Sequence, residues 1–188
     1  MKVSREQAAE NRGRILAAAG KLFRQHGFEG ISVADLMKKA GLTHGGFYGH
    51  FASKEELMAQ ACTQAFSDTL KLWKTAAENP NANALGEFAE TYLTTRHRDH
   101  PGSGCVASAL AVDASRQGPQ VRAALTAGVR EHLDVIARIT PGKSATVRRE
   151  KALVTYAAMI GALVMSRAVN DAELSEEFLN AVKDAVAK

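Results

Sequence analysis

The sequence predicts an all-α fold of about nine helices. Three observations carry that expectation. No segment alternates apolar and polar residues over a useful strand length, whereas apolar residues recur at helical spacing along most of the 188 residues. Breakers divide this pattern at Gly27, Gly41, 79–83, 100–104, Gly118-Pro119 and Pro141-Gly142. A hydrophobic content of 46% is enough for a packed core. The expected organisation is a small head over residues 1–53 and a helical body over residues 54–188, with no repeat, low-complexity stretch or flexible linker between them.

Taken in order, residues 6–26 form the first helix, with Ile15, Leu16, Ala18, Ala19, Leu22 and Phe23 as its apolar stripe. Gly27 ends it, and Phe28 tucks back. Two short helices follow, paired around Ala40-Gly41-Leu42-Thr43. Ser32 caps the first of them, with Asp35 at the capping-box position, and Val33, Leu36, Met37 and Ala40 share one face. Gly41 stands where a left-handed residue ends a helix, and Thr43 is the next N-cap candidate. The second short helix groups His44, Gly45, Gly46, Tyr48 and His50 on one surface, while Phe47 and Phe51 anchor it from beneath. This is the layout of a helix-turn-helix, whose second helix enters the major groove of DNA.

A longer helix is expected over 54–78, opened by a Ser53/Glu56 capping box, with Leu57, Ala61, Ala65, Leu72 and Trp73 on or near one side. Lys54 sits in its first turn, where a helix favours anions. A phosphate placed there would suit both the lysine and the free N–H groups. Further helices are expected over 85–96, 105–115, 120–139, 148–169 and 174–186, the 148–169 helix being apolar nearly all round.

Charge narrows the function classes. Residues 1–55 carry nine basic and five acidic side chains, which is the whole net charge of +4; the remainder balances at fifteen of each. A polyanion partner is the natural reading of that asymmetry beside a helix-turn-helix. The longest uncharged apolar run, 152–166, is short of a membrane span, and no secretory h-region is visible. Cys62 and Cys105 read as free thiols in a reducing cytoplasm. No triad, paired carboxylates, phosphate-binding loop or metal motif is present, so no enzyme, metal or cofactor is expected.

The run Ile15-Leu16-x-Ala18-Ala19-x-x-Leu22-Phe23, then Gly27-Phe28-x-x-Ile31-Ser32-Val33-x-Asp35-Leu36, then Ala40-Gly41-Leu42-Thr43 and Phe47-Tyr48-x-His50-Phe51-x-Ser53-Lys54-Glu55-x-Leu57, resembles the TetR (tetracycline-repressor) family of bacterial transcription regulators. The resemblance spans about the first 57 residues. It implies an all-helical dimeric body that binds a small molecule and, on binding, shifts two heads off DNA. It also implies that Tyr48 and Lys54 touch phosphates, contacts that set register without reading sequence. Family members usually carry Ser or Thr where this chain has Gly46, and often a bulkier residue where it has Gly49. Three glycines in one short helix, each costing about 1 kcal/mol against Ala, leave that helix either loose until DNA orders it or free to approach the duplex closely.

The DNA-binding candidates are therefore Ser32, Thr43, His44, Gly45, Gly46, Tyr48, His50 and Lys54. His44 is the main base-reading candidate, while His50 reads equally as local packing. Lys2, Arg5, Arg12, Arg14, Lys38 and Lys39 are secondary backbone contacts. Phe66, Trp73, Phe88, Tyr92, Tyr156 and Met159 lie on body helices that can surround a cavity. With no charged cluster among them, an apolar or aromatic effector is expected. Cys105 follows a Gly-rich loop at a helix start, where thiolates are favoured. It reads as an electrophile-sensing thiol or as a small buried apolar residue, and a site made with His97 and His100 matches no strong metal template. A helix apolar on more than one face needs cover on both. Leu153, Ile160, Gly161, Val164, Phe178 and Val182 are accordingly the candidate interface of a homodimer. The expected function is a ligand-responsive regulator, most simply a repressor, on a palindromic DNA operator. The rivals are a thiol-based redox or electrophile-responsive protein acting through Cys105, and a sequence-indifferent architectural protein.

Overall fold

The computed structural model describes residues 4–78 and 83–187, so the expected breaker at 79–82 and the tail residue Lys2 lie outside the described residues. Among the described residues there are nine α-helices, two 3₁₀ turns and no strand. The order is α1 (Arg5–His26), α2 (Val33–Lys39), a 3₁₀ turn (His44–Gly49), α3 (Lys54–Ala76), α4 (Ala84–Tyr92), α5 (Thr95–Asp99), a second 3₁₀ turn (Pro101–Ser103), α6 (Val106–Ser115), α7 (Pro119–Ile139), α8 (Ala145–Ala168) and α9 (Ala172–Ala187).

The local signals act as their chemistry requires. Ser32 Oγ accepts from Asp35 N, and Ser53 Oγ accepts from Glu56 N. The reciprocal half of each box differs from expectation. Asp35 Oδ2 accepts from the Ser32 hydroxyl (2.6 Å) instead of a backbone amide, and Glu56 Oε2 reaches Ala52 N (2.7 Å), one residue before the cap. Gly41 takes φ 71°, and paired bonds from Gly41 N to Lys38 O and from Leu42 N to Met37 O close α2 in a Schellman arrangement. Gly27 ends α1 at φ 75° and lets Phe28 fold back to full burial.

Two elements depart from the sequence reading. The second short helix is a 3₁₀ turn, not an α-helix, as three glycines in six residues explain: they lower α propensity without supplying packing to hold a wider turn. The helix expected over 85–96 ends at Tyr92, because Leu93 (ψ 69°) and Thr94 (ψ 153°) leave the helical region. Thr94 Oγ1 then accepts from His97 N (3.1 Å) and caps the separate α5.

Helix α3 packs on α1 on one side and most extensively on α7 on the other. Beyond it α8 packs on α7 and α9, and α9 on α4. A single continuous core runs from Phe23, Phe28, Phe47 and Phe51 in the head through Leu57 and Phe66 on α3 to Tyr156 and Met159 on α8. At 24 residues, α8 is long and apolar enough to cross a bilayer by length and composition, but Ala152, Tyr156, Met159, Ala162 and Leu163 bury against their own chain.

Candidate nucleic-acid interface and body cavity

The first 3₁₀ turn is held from below and bare above. Phe47 and Phe51 are buried and stacked with centroids 5.8 Å apart; Tyr48 is 72% exposed, resting edge-on against Phe47. His44, Gly45 and Gly49 are exposed, and Gly46 and His50 half-buried. A Cβ on Gly45 or Gly49 would meet nothing within 4 Å. Thr43 has the extended backbone of an N-cap but makes no side-chain cap bond, so its exposed hydroxyl is uncommitted to the turn. Ser32 is exposed, with its hydroxyl spent on Asp35.

Lys54 lies at the start of α3 as expected, but its Nζ pairs with Glu29 Oε2 at 3.3 Å, and Glu29 Oε1 accepts from Gln117 Nε2 of the body at 3.4 Å. A phosphate at this position competes with the Glu29 carboxylate. Arg12 and Arg14 have intramolecular partners. Arg12 lies over the Phe51 ring (4.5 Å) and donates to Gln60, and Arg14 Nη2 donates to Ala40 O at the end of α2. Lys38 and Lys39 are exposed.

In the body, a cavity of about 470 Å³ opens between α3, α4, α5 and the start of α6. Trp73, Phe88 and Tyr92 form an aromatic wall, with Trp73 edge-on to Phe88 at 4.7 Å. Thr69, Thr91, Thr94, Arg96, His97 and His100 add polar groups, and Ser103, Gly104 and Cys105 also line it. Leu72, expected on the buried side of its helix, is 72% exposed and borders this cavity. Tyr156 is not in the lining; its Oη lies 4.0 Å from Cys105 Sγ. Phe66 and Met159 are core residues outside the lining, Phe66 lying edge-on to His132 at 5.3 Å.

His97 organises one end of the cavity. Its Nε2 accepts the Cys105 amide (2.9 Å), so Nδ1 carries the proton and donates to Tyr92 O (2.8 Å). Burial lowers its pKa, in keeping with this neutral tautomer, and both ring nitrogens are occupied, which leaves neither for a metal. His132 is likewise neutral in the core: burial lowers its pKa, and its ring bridges Gly128 O (2.9 Å) and Thr69 Oγ1 (3.0 Å). Burial pushes the phenols of Tyr92 and Tyr156 well above the ordinary tyrosine range, Cys105 adding to both, and pushes the Cys62 thiol up to about 12.

Two struts join this end of the cavity to the head. Arg24 of α1 donates from Nε (3.0 Å) and Nη2 to Gly102 O, beside the cavity residues Ser103 and Gly104. Helix α6 begins beside Cys105 and, near its far end, Asp113 Oδ2 accepts from Phe28 N (3.2 Å). Arg167 of α8 ties the same region together, donating to His97 O (2.8 Å), Arg98 O (3.0 Å) and Ser108 Oγ (3.3 Å).

The profile described as "Bacterial regulatory proteins, tetR family" matches residues 15–61, which contain both short elements and the start of α3. Over that segment the chain is similar to the TetR family. It spans about a third to a half of the first curated relatives it matches: a regulator named YdgC of Bacillus subtilis is 38% identical over 68 residues, 36% of this chain and 35% of that protein. Two transcriptional repressors align over nearly their whole length, DhaR of Mycobacterium (22% identical, covering 93% of this chain and 91% of its own) and NemR of Escherichia coli (25%, 95% and 94%). Among solved structures, reduced E. coli NemR superposes with a TM-score of 0.77 at 21% identity, over 93% of this chain and 96% of its own. A TetR regulator from Chloroflexus aurantiacus superposes at 0.78 and 23%, over 97% of each. Those structural likenesses establish a shared fold.

With the TetR frame in place, the outer face of the body is notable for what it leaves bare. On α8, Leu153 (47%), Val154 (71%) and Met165 (42%) are exposed, as are Ala157 and Gly161; Val164 is half-buried. On α9, Leu174 is exposed and Phe178 half-buried. Ile160 and Val182 instead lean partly on the chain's own core. Arg24, Glu29, Arg96, Asp113, His132 and Arg167 were not singled out by sequence reasoning. All but Arg96, which only lines the cavity, act through partners distant in the chain, and no local spacing announces them.

Proposed function

We propose that this chain is a dimeric, ligand-responsive DNA-binding regulator of the TetR family, a repressor released from a palindromic operator when a small molecule occupies the body cavity. The observation that carries the reading is the bare surface of Thr43, His44, Gly45 and Tyr48, presented by the buried Phe47/Phe51 pair beside Lys54. In this reading the head is residues 1–53 and the body residues 54–188, Tyr48 and Lys54 hold phosphates, and His44 faces base edges. The exposed stripe on α8 and α9 is the surface a second copy covers. An isologous pair places two heads on two half-sites and so requires a two-fold operator. DhaR and NemR, which align over nearly the whole chain, are both named repressors, which supports the direction of regulation.

Footprinting on DNA flanking the chain's own gene, at low and near-physiological salt, tests this. A short two-fold-symmetric protected site that survives salt is the expected result. Diffuse protection that vanishes with salt means phosphate attraction alone and overturns it in favour of an architectural protein.

A second reading turns on the place of Cys105: both cysteines are free and buried, but of the two only Cys105 lines the cavity, near Tyr156 Oη. In it, release follows alkylation of Cys105 by an electrophile entering the cavity. Intact-protein mass after native exposure to N-ethylmaleimide, with Cys105→Ser as control, checks it: one adduct lost in the variant is required.

A further inference from the structure

The cavity also carries a charge signature that the aromatic residues alone did not announce. Its lining contains one arginine, Arg96, and no carboxylate. Arg96 enters no ion pair among the described residues, and the nearby Asp99 is engaged by Arg98 at 2.7 Å. Asp68, on an adjoining groove of about 270 Å³, pairs with Lys71. Thr94 Oγ1 accepts from His97 N, so its own proton remains available to a ligand. Helix α6 starts at the same end, adding the positive end of a helix dipole. Facing these donors is the aromatic wall of Trp73, Phe88 and Tyr92.

We propose that this cavity takes a small planar aromatic acid, its ring against Trp73 and Phe88 and its carboxylate met by Arg96 and Thr94. The proposal rests on the effector reading above and specifies its chemistry. A volume of about 470 Å³ accommodates one or two fused rings with room for the acid group. A neutral aromatic would fill the wall but leave the donors on solvent alone, whereas a carboxylate uses both and pairs with a planar guanidinium in bidentate fashion. Arg96 is exposed, so the charge preference is moderate rather than absolute.

The chain has a single tryptophan, Trp73, so intrinsic fluorescence reports on this wall directly. The experiment is calorimetric titration of the full chain with 2-naphthoate and with uncharged 2-naphthamide, with Trp73 emission followed in parallel, for wild type and Arg96→Gln. The acid is expected to bind about tenfold more tightly than the amide and to perturb Trp73. Arg96→Gln, an exposed substitution that leaves the core untouched, should bring the acid down to the amide's affinity without changing the amide. Equal binding of acid and amide by wild type overturns the proposal, as does binding of neither, or a preference that survives Arg96→Gln. Operator binding with 2-naphthoate is read separately. If the acid binds as expected but DNA is not released, the ligand assignment stands and the release reading fails.

Discussion

Tyr48 is proposed as a phosphate contact on grounds local to the residue. A tyrosine set among glycines has no core to serve, and the structure leaves it 72% exposed on a turn whose Phe47, and Phe51 just after it, are buried. A phosphate contact carries no sequence information, so Tyr48→Ala should weaken binding to operator and random DNA by the same factor, about 1 kcal/mol. His44→Ala should instead narrow the ratio between the two. Competition binding with both DNAs reads the difference, and two variants that lose affinity at an unchanged ratio would sink the assignment. The histidines of the body make a different prediction. His97 and His132 have pKa values lowered by burial, so below about pH 6.5 the unfolded chain binds protons that the folded chain refuses. Their contribution is complete above that pH and is lost as pH falls towards the depressed folded values. The Tm should fall between pH 6.5 and 5, and fall less steeply in His132→Asn. An equal slope in the variant would place the effect elsewhere. The neutrality of neither histidine was legible in the sequence, because it comes from partners, such as the Cys105 amide and Thr69, set by tertiary packing.

Caps and breakers were legible because their chemistry is local. Ser32, Ser53, Gly27 and Gly41 act within five residues of themselves, and each sits at an element boundary. The split between α4 and α5 was not legible: a Leu-Thr-Thr run continues a helical pattern, and the break there depends on backbone angles fixed by packing. The 3₁₀ turn lies between these cases, since its glycines announced weak helicity but not which narrower form would result. Gly49 has negative φ and open space around its missing Cβ, so Gly49→Ala removes unfolded-state freedom at no steric cost. It should stabilise the chain by about 0.5–1 kcal/mol and raise Tm by a few degrees. Because the TetR resemblance implies bulkier residues at this position, operator affinity should hold or rise. A fall in affinity at raised Tm would show instead that the backbone of Gly49 approaches the duplex closely.

At the scale of the molecule, the proposed function requires two couplings. The first is between copies. Gly161→Arg places a charge on the bare face of α8, where nothing lies within 4 Å in the monomer. The variant should fold normally yet sediment at half the wild-type mass and lose the two-fold footprint. The second joins cavity to head, through Arg24 on Gly102 O and Asp113 on the Phe28 amide. Both struts reach the C-terminal end of α1 and the turn after it, the region through which a displacement of α6 would reach the DNA surface. Asp113→Ala deletes an acceptor and leaves the Phe28 N–H without its partner, a loss of order 1–3 kcal/mol concentrated at one junction. Deuterium uptake over residues 27–31 should rise while the exchange of α7 stays unchanged. Operator affinity should fall, because heads free to wander must be ordered on the two half-sites at an entropic cost. Asp113→Asn keeps a carbonyl oxygen for the same amide and should remain close to wild type in both measurements. If Asn and Ala behave alike, the strut acts through the charge of Asp113 and not through this hydrogen bond. If neither alters uptake at 27–31, the head is held by the shared core of α1 and α3 alone.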